Sequence, residues 1–200
     1  MQQYGSGKNI WRHSMFKLSR FVLGLALAGA VILPALATQP ATPEQVAPFQ
    51  LAAAQRVTDK ANGFSIVPPA GWEAGEPNEQ TFLIYLDAPK DNFRANFNVN
   101  VSEDDSTPIK EIGKYIKPEF AKQFDKWKLV SEGTVTLGGQ PAYFISSRFS
   151  MQGYDIQNLQ YYIRGKKKRF YVLTFTALAS SYKSYESAFK QTAASVQAMN

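Results

Sequence analysis

Residues 169–178 read RFYVLTFTAL, and residues 179–196 continue as ASSYKSYESAFKQTAASV. The first stretch is rich in aromatic and β-branched residues and has no charge after Arg169, which favours a strand covered on at least one side. In the second stretch apolar side chains recur every three or four residues, which predicts an amphipathic helix that begins after Ser180 and Ser181. The predicted apolar stripe is Tyr182, Tyr185, Phe189, Thr192, Ala193 and Val196. The two stretches together predict a central strand with a helix packed on it.

The strands that precede this unit show the same patterns. Residues 129–137, 141–151 and 156–164 are predicted strands, and glycine-containing turns such as Gly138-Gly139 separate them. Three earlier strands are predicted over residues 63–67, 81–87 and 95–102. We therefore predict an α+β domain built on a mainly antiparallel sheet of about seven strands.

Residues 95–102 alternate more regularly than any other stretch. Their apolar and amide side chains point to opposite faces, with Phe97, Val99 and Val101 on one and Asn96, Asn98 and Asn100 on the other. This alternation is typical of a half-buried antiparallel strand, so we predict that the asparagines face solvent. Binding of a polar ligand by the asparagines is the alternative.

A second helix is predicted after residue 106. Thr107 suits the N-cap position and Pro108 the first helical position, where its missing N–H costs nothing. The predicted apolar stripe is Ile109, Ile112, Ile116, Phe120 and Phe124. Pro118 interrupts this stripe and predicts a kink or a break in the helix near Ile116.

The first 37 residues are predicted to be a secretory signal peptide. A short basic start is followed by an uninterrupted apolar and glycine run over residues 21–33, and Ala35 and Ala37 form a small-x-small cleavage site before Thr38. An uncleaved membrane anchor is the alternative, although the run is shorter than the roughly 20 residues that a spanning helix needs. Met15 would itself make an ordinary start for such a peptide.

The chain beyond the signal peptide divides into a spacer and a domain. Residues 38–60 are rich in Ala, Pro and Gln and predict a flexible spacer, and residues 61–200 form the predicted domain. Four of the 22 basic residues and none of the 16 acidic residues lie before Thr38, so the net charge of +6 falls to +2 beyond it. This near balance gives no argument for nucleic acid as a partner.

The residue types exclude several reactions. The chain has no cysteine, so there is no thiolate nucleophile, zinc–thiolate site or lipidated cysteine, and the lipoprotein route is closed. The only histidine is His13, ahead of the apolar run, which excludes a Ser-His-acid triad and a histidine-ligated metal site in the domain. Ser181, Lys183 and Ser184 could form a nucleophile pair, but their place at a helix start is explained by capping. We predict that the protein is not an enzyme.

Two charged clusters are candidate binding sites. Glu103, Asp104 and Asp105 could bind Ca²⁺ or another divalent cation, although acids ahead of a helix also interact favourably with its dipole. A basic hairpin tip is the second cluster, formed by Arg164, Lys166, Lys167, Lys168 and Arg169. The tip can dock on an acidic protein or on anionic lipid headgroups, or it can keep the hairpin soluble and prevent strand pairing.

Four segments in this order resemble the PsbP-like fold family, which includes photosystem II PsbP proteins and bacterial DcrB-like exported proteins. The segments are residues 63–72 (GFSIVPPAGW), residues 96–101, Gly138-Gly-Gln-Pro-Ala142 and residues 171–177 before the last helix. The resemblance implies an α/β/α sandwich around an antiparallel sheet. It also implies a non-enzymatic accessory or assembly protein of the bacterial periplasm or the thylakoid lumen.

Three functions follow as hypotheses. The first is an exported accessory protein that binds another protein or a membrane-associated complex, with a photosystem among the candidates. The second is a module that binds a small ligand or a divalent cation in a pocket between sheet and helices. The third is a hydrolase without histidine, which would need a carboxylate or lysine base. The partner and the oligomeric state do not follow from the sequence.

Overall fold

The structure is a computed structural model and describes residues 55–77, 81–103 and 106–199. Its strands in chain order are β1 (Val57–Asp59), β2 (Phe64–Ile66), β3 (Glu73–Ala74), β4 (Leu83–Leu86), β5 (Asn96–Glu103), β6 (Asp125–Leu137), β7 (Gln140–Met151), β8 (Tyr154–Arg164), β9 (Arg169–Leu178) and β10 (Gln197–Ala198). Helix α1 is Ile112–Gln123, which follows a 3₁₀ turn at Ile109–Glu111, and helix α2 is Tyr182–Ala194. The predicted signal peptide and most of the predicted spacer lie outside the described residues.

Seven strands form the main sheet in the order β3-β4-β5-β9-β8-β7-β6, and all neighbours are antiparallel. β9 occupies the fourth place, and all of its residues except the two terminal ones are buried. The predicted central strand, the predicted meander from β6 to β9 and the α+β fold with a seven-stranded antiparallel sheet are therefore confirmed.

The membership of the sheet differs from the prediction in one strand. The strand predicted over residues 63–67 forms β2, which lies in a separate small sheet of order β1-β2-β10, and β3 takes the seventh place in the main sheet. β1 falls within the last residues of the predicted spacer. Just before it, Arg56 Nη1 donates hydrogen bonds to Ser65 Oγ at 3.0 Å and to the carbonyl of Ser195 at 2.9 Å, which ties the start of the domain to its end.

Helix α2 and the small sheet cover one face of the main sheet. Phe175 of β9 stacks on Phe97 of β5 at 4.7 Å between ring centroids, and on its other side it meets Phe189 of α2 at 5.0 Å. The rest of the predicted stripe of α2 is buried or packed against this core. The prediction of a central strand with a helix packed on it is confirmed at the level of these ring contacts.

Helix α1 covers part of the opposite face through its predicted apolar stripe. Of the predicted kink or break near Ile116, the break does not occur, because the helix runs from Ile112 to Gln123 with Pro118 inside. Pro118 lacks the N–H that would bond the carbonyl of Lys114, but both residues are exposed, so this carbonyl can bond water instead. The predicted cap is also wrong, because Pro108 precedes the 3₁₀ turn and Glu111 occupies the N-cap of α1.

The asparagine face of β5 does not face solvent, contrary to the prediction. Asn96, Asn98 and Asn100 are only 3%, 0% and 1% exposed. The strand register places Asn98 opposite Thr174, and Asn96 opposite Thr176, so polar side chains continue across the neighbouring strand. Alternation shows that the two faces of a strand differ, but it does not show which face meets water, and here both are enclosed.

Candidate functional site

A cavity lies between helix α2 and the β6 end of the main sheet. It is an open groove of about 620 Å³ on the face that α2 partly covers. Its lining comes from four elements and the loop before α2: Val130, Ser131, Val135 and Leu137 of β6, Phe144, Ser146 and Arg148 of β7, Gln157, Leu159 and Tyr161 of β8, Ala179 before the helix, and Tyr182, Lys183, Glu186 and Lys190 of α2. We refer to it below as the α2–β6 groove.

The groove exists because one helix cannot cover the whole sheet. A helix is about 10 Å across with its side chains, whereas neighbouring strands are about 4.8 Å apart, so a single helix covers about two strands. Helix α2 packs on β9 and β8. The same face of β7 and β6 is left without a covering helix in the part of the chain that the structure describes.

The floor of the groove is apolar and aromatic. Phe144 and Tyr161 lie with their ring centroids 6.2 Å apart. The ring of Phe144 also lies over Gly133 of β6, where an added Cβ would come within 2.9 Å of it. Val130 and Val135 stay 48% and 37% exposed at the outer wall. The groove therefore presents apolar surface to solvent.

The rim on the helix side is charged. The carboxylate of Glu186 accepts hydrogen bonds from Lys183 Nζ at 2.7 Å and from Lys190 Nζ at 2.6 Å. These two bonds lower the pKa of Glu186 to about 2. Arg148 lies on the opposite wall and its Nε donates to Gln157 Oε1 at 2.8 Å. With three cations and one anion in its lining, the groove carries a net positive charge.

A polar corner closes the groove beside the start of α2. Ser146 Oγ donates to the carbonyl of Asn158 at 2.9 Å and accepts from Gln157 Nε2 at 3.2 Å. Burial raises the pKa of Tyr182 to about 12, although hydrogen bonds with Ser146 and Gln157 act in the opposite direction. The Tyr182 hydroxyl therefore stays protonated at physiological pH and can donate a hydrogen bond, but it is not a base.

The serines and the lysine at the start of α2 do not form a nucleophile pair. Lys183 binds Glu186, Ser184 Oγ donates to the carbonyl of Ser181 at 2.7 Å, and Ser181 Oγ donates to the carbonyl of Leu178. Ser181 occupies the N-cap position, as predicted, but its hydroxyl accepts no backbone N–H bond from the helix. These side chains bind local carbonyl groups and a neighbouring carboxylate, so they brace the turn between β9 and α2.

The basic hairpin tip lies at the far end of β8 and β9, away from the groove. Lys166, Lys167 and Lys168 are exposed. The two arginines instead bind the backbone, since Arg164 Nη2 donates to the carbonyl of Thr107 at 2.7 Å and Arg169 Nη2 to that of Ala61 at 2.8 Å. The structure thus separates the five predicted residues into three lysines available for docking and two arginines that hold neighbouring segments.

The candidate cation ligands are only partly described. Glu103 is the last residue of β5, exposed, and paired with Arg169 across the strands, whereas Asp104 and Asp105 lie outside the described residues. Among residues 55–77, 81–103 and 106–199, no three His, Cys, Asp or Glu side chains come together as a metal site would require. Cation binding at this cluster stays a prediction.

Sequence reasoning did not identify the α2–β6 groove. Its lining residues are scattered over residues 130–190, and the pattern of β6 alone does not show that its apolar side chains lack cover. A search of the described helices finds none that is long and apolar enough to cross a membrane.

Comparisons with known proteins agree on the fold. The family model described as PsbP matches residues 52–198. Cyanobacterial PsbP (CyanoP) from Synechocystis sp. PCC 6803 is 15% identical, with a TM-score of 0.58, over 78% of this chain and 98% of that one. LpqN, involved in cell envelope biogenesis of Mycobacterium tuberculosis, is 14% identical, with a TM-score of 0.56, over 68% and 83% of the two chains.

A third similar structure comes from a eukaryote. The Ran-binding protein Mog1p of Saccharomyces cerevisiae is 13% identical, with a TM-score of 0.55, over 72% of this chain and 95% of that one. Identities this low show a shared fold and nothing about shared residues at a site. No curated protein matches the sequence.

Proposed function

The chain belongs to the PsbP family, and we propose that it is an exported, non-enzymatic protein that binds another protein or a membrane-associated complex. The α2–β6 groove is the observation that carries this proposal. It joins exposed valines, an aromatic floor and a net positive rim on one open surface. Apolar surface of this kind, bordered by polar residues, marks sites of protein interaction.

Partners of similar proteins support a binding role. Mog1p is a Ran-binding protein, and LpqN is involved in cell envelope biogenesis. The sequence identities are too low to assign the partner of Mog1p or the process of LpqN to this chain. Both proteins nevertheless have this fold, and both are named for an interaction or a cellular role rather than for a reaction. A periplasmic or luminal accessory protein fits this pattern.

Site-specific photocrosslinking in cells tests the proposal. A photoreactive amino acid at Val130 should crosslink a partner, because this side chain is exposed at the groove wall. The same amino acid at Lys114, exposed on α1 at the opposite face, is the matched control. A partner captured from both positions equally, or from neither, would contradict docking in the groove.

The export part of the proposal rests on residues 1–37 alone. Intact-mass and N-terminal analysis of the protein purified from its native cells should give Thr38 as the first residue. A protein that retains residues 21–33 and sediments with membranes would instead support the anchor. The exported protein would lie in the periplasm, or in the thylakoid lumen of a photosynthetic cell.

The hairpin tip supplies a second contact in this proposal. The triple change Lys166/Lys167/Lys168→Glu reverses the charge of the exposed lysines and leaves Arg164 and Arg169 in place, so folding should be unaffected. Binding to the partner, or to vesicles containing anionic lipid, should weaken. Unchanged binding of the triple variant would assign these lysines to solubility alone.

Small-ligand binding is a second candidate function. The volume of the groove, about 620 Å³, falls within the range of roughly 300–1,000 Å³ that is usual for ligand pockets. Thermal-shift measurements against a metabolite collection and against Ca²⁺, Mn²⁺ and Zn²⁺ distinguish the candidates. A rise in Tm with one small molecule that Val135→Lys abolishes would favour a ligand, whereas a rise with a cation would direct attention to Glu103 and its neighbours.

A further inference from the structure

We propose that the partner docks by strand addition: an extended segment pairs with residues 131–137 of β6 and becomes the eighth strand of the main sheet. This inference rests on the proposed function and specifies how the partner binds and what its chemistry is. β6 is the last strand of the sheet, and no strand in the described part of the chain pairs with its outer edge. Its outward backbone groups are therefore available as hydrogen-bond donors and acceptors.

The two halves of β6 differ in regularity. The register with β7 shifts between Asp125 and Lys128 and again between Leu129 and Ser131, which marks bulges in the first half. From Ser131 to Leu137 every residue has a partner in register, ending at Leu137 opposite Gln140. An added strand requires such a regular edge, since a bulge interrupts the ladder of hydrogen bonds.

The hairpin turn fixes which backbone groups point outward. Gly138 and Gly139 both have positive φ (53° and 76°), as a two-residue type I′ turn requires. In such a hairpin the flanking pair, Leu137 and Gln140, is hydrogen-bonded, and bonded and non-bonded pairs then alternate along the ladder. The non-bonded positions on β6 are Glu132, Thr134 and Thr136, so the N–H and C=O groups of these three residues face the open edge.

The regular half of β6, residues 131–137, lacks the usual protection against pairing with another strand. Natural edges carry lysines, prolines or bulges, and in β6 the lysines and the bulges all lie before residue 131. The single charge in the regular half is Glu132, and its carboxylate is already occupied: Lys117 Nζ donates to it at 2.6 Å and the Tyr143 hydroxyl donates to its other oxygen. The edge beside the groove is thus left open to another strand.

The chemistry of the groove identifies the occupant as a foreign segment with bulky apolar and acidic side chains. Alternate side chains of an added strand would lie over the groove beside Val135 and Leu137. A second copy of β6 would supply Ser131, Gly133, Val135 and Leu137 on that face, of which only Leu137 is bulky, so it would fill the groove of about 620 Å³ poorly. The cations of the rim, Arg148 among them, favour acidic residues at the ends of the segment.

Amide exchange with a defined probe tests the pairing. The probe is a ten-residue peptide in which Phe and Leu alternate with Thr, with Glu at both ends. On binding, the amides of Glu132, Thr134 and Thr136 should exchange more slowly by roughly ten-fold or more, as expected for newly hydrogen-bonded groups. Binding that leaves these three amides unprotected would overturn strand addition.

N-methylated probes provide a test that does not depend on protein variants. One probe carries N-methyl groups at its odd positions and the other at its even positions, so in any register only one blocks the edge that faces β6. Affinity should fall roughly ten-fold or more for one probe and stay close to that of the parent for the other. Equal affinity of the two probes, or no binding of the parent at millimolar concentration, would overturn the inference.

A pair of variants completes the test. Thr134→Pro removes an outward N–H that β7 does not use, and Thr134→Ala keeps it, so only the proline should lose probe binding. Thr136→Pro repeats the test if the first proline unfolds the protein. Normal crosslinking from Val130 with no effect of either proline would leave the proposed function standing and refute only the pairing mode.

Discussion

Helix α2 covers one half of a face of the main sheet, and the other half of the same face lines the open α2–β6 groove. Under the helix, Phe175 is fully buried among aromatic rings, whereas Phe144 on β7 and Val135 on β6, two and three strands away, border open space. The side chains do not differ in apolar character. The two halves differ because helix α2 covers only about two strands, and β7 and β6 extend the sheet beyond the helix. The fold thus concentrates its packing in one half and leaves apolar surface open in the other half, which we propose as the docking site.

The largest effect should come from truncating the covered half. Phe175→Ala removes a buried ring that touches both β5 and α2, and the surroundings cannot collapse into the space without moving the helix. The free energy of unfolding should fall by about 3–5 kcal/mol. Urea unfolding followed by circular dichroism measures it. A loss below about 1 kcal/mol would mean that the half under α2 is no better packed than the groove.

A smaller loss is expected in the open half. Phe144→Ala removes a partly exposed ring that covers Gly133, and the free energy of unfolding should fall by about 1–2 kcal/mol because solvent already reaches the site. Partner or probe binding should be lost more completely than stability. If Phe144→Ala destabilised the protein as much as Phe175→Ala does, the two halves would not differ in packing as we describe.

The next prediction concerns Glu132 of β6, whose carboxylate is hydrogen-bonded on the face of the sheet opposite the groove. Hydrogen bonds from Lys117 and Tyr143 lower the pKa of Glu132 below its ordinary value of 4.5. Since the folded pKa is the lower one, these bonds contribute stability above about pH 4.5 and lose it as the pH falls through the folded pKa. Glu132→Gln should cost about 1 kcal/mol at neutral pH.

The pH dependence provides the control for this variant. The free energies of unfolding of the native protein and of Glu132→Gln should converge as the pH falls through the folded pKa of Glu132, which lies below 4.5. A gap that persists at the lowest pH at which both proteins stay folded would show that the variant disturbs packing rather than an ionised carboxylate.

The smallest effect on stability should come from the rim. Glu186→Gln leaves Lys183 and Lys190 without their carboxylate, yet the three side chains are solvent-accessible, so stability should change by no more than about 0.5 kcal/mol. The positive charge of the groove rises, so an acidic probe should bind more tightly at low salt and lose this gain at high salt. Isothermal titration at two salt concentrations measures the change, and weaker binding at low salt would contradict the charge argument.

Much of the fold could be predicted from local patterns. The strand at residues 169–178, the helix after it and the Gly138-Gly139 turn all follow from periodicity and backbone preference, which act over a few residues. The errors share a cause: the solvent exposure predicted for Asn98, the break predicted at Pro118 and the main-sheet place predicted for residues 63–67 all follow from local rules. Burial, the solvation of one carbonyl and sheet membership depend on segments distant in the chain.

The sequence by itself determined the family, the order of strands and helices, and the absence of histidine and cysteine chemistry from the domain. Only the tertiary structure decided where the proposed docking surface lies. The α2–β6 groove depends on which strands α2 covers, and the open edge of β6 depends on the order of strands in the sheet. The hairpin lysines are available because the two neighbouring arginines bind carbonyl groups of distant segments. Each of these is a relation between segments far apart in the chain, and no local pattern encodes it.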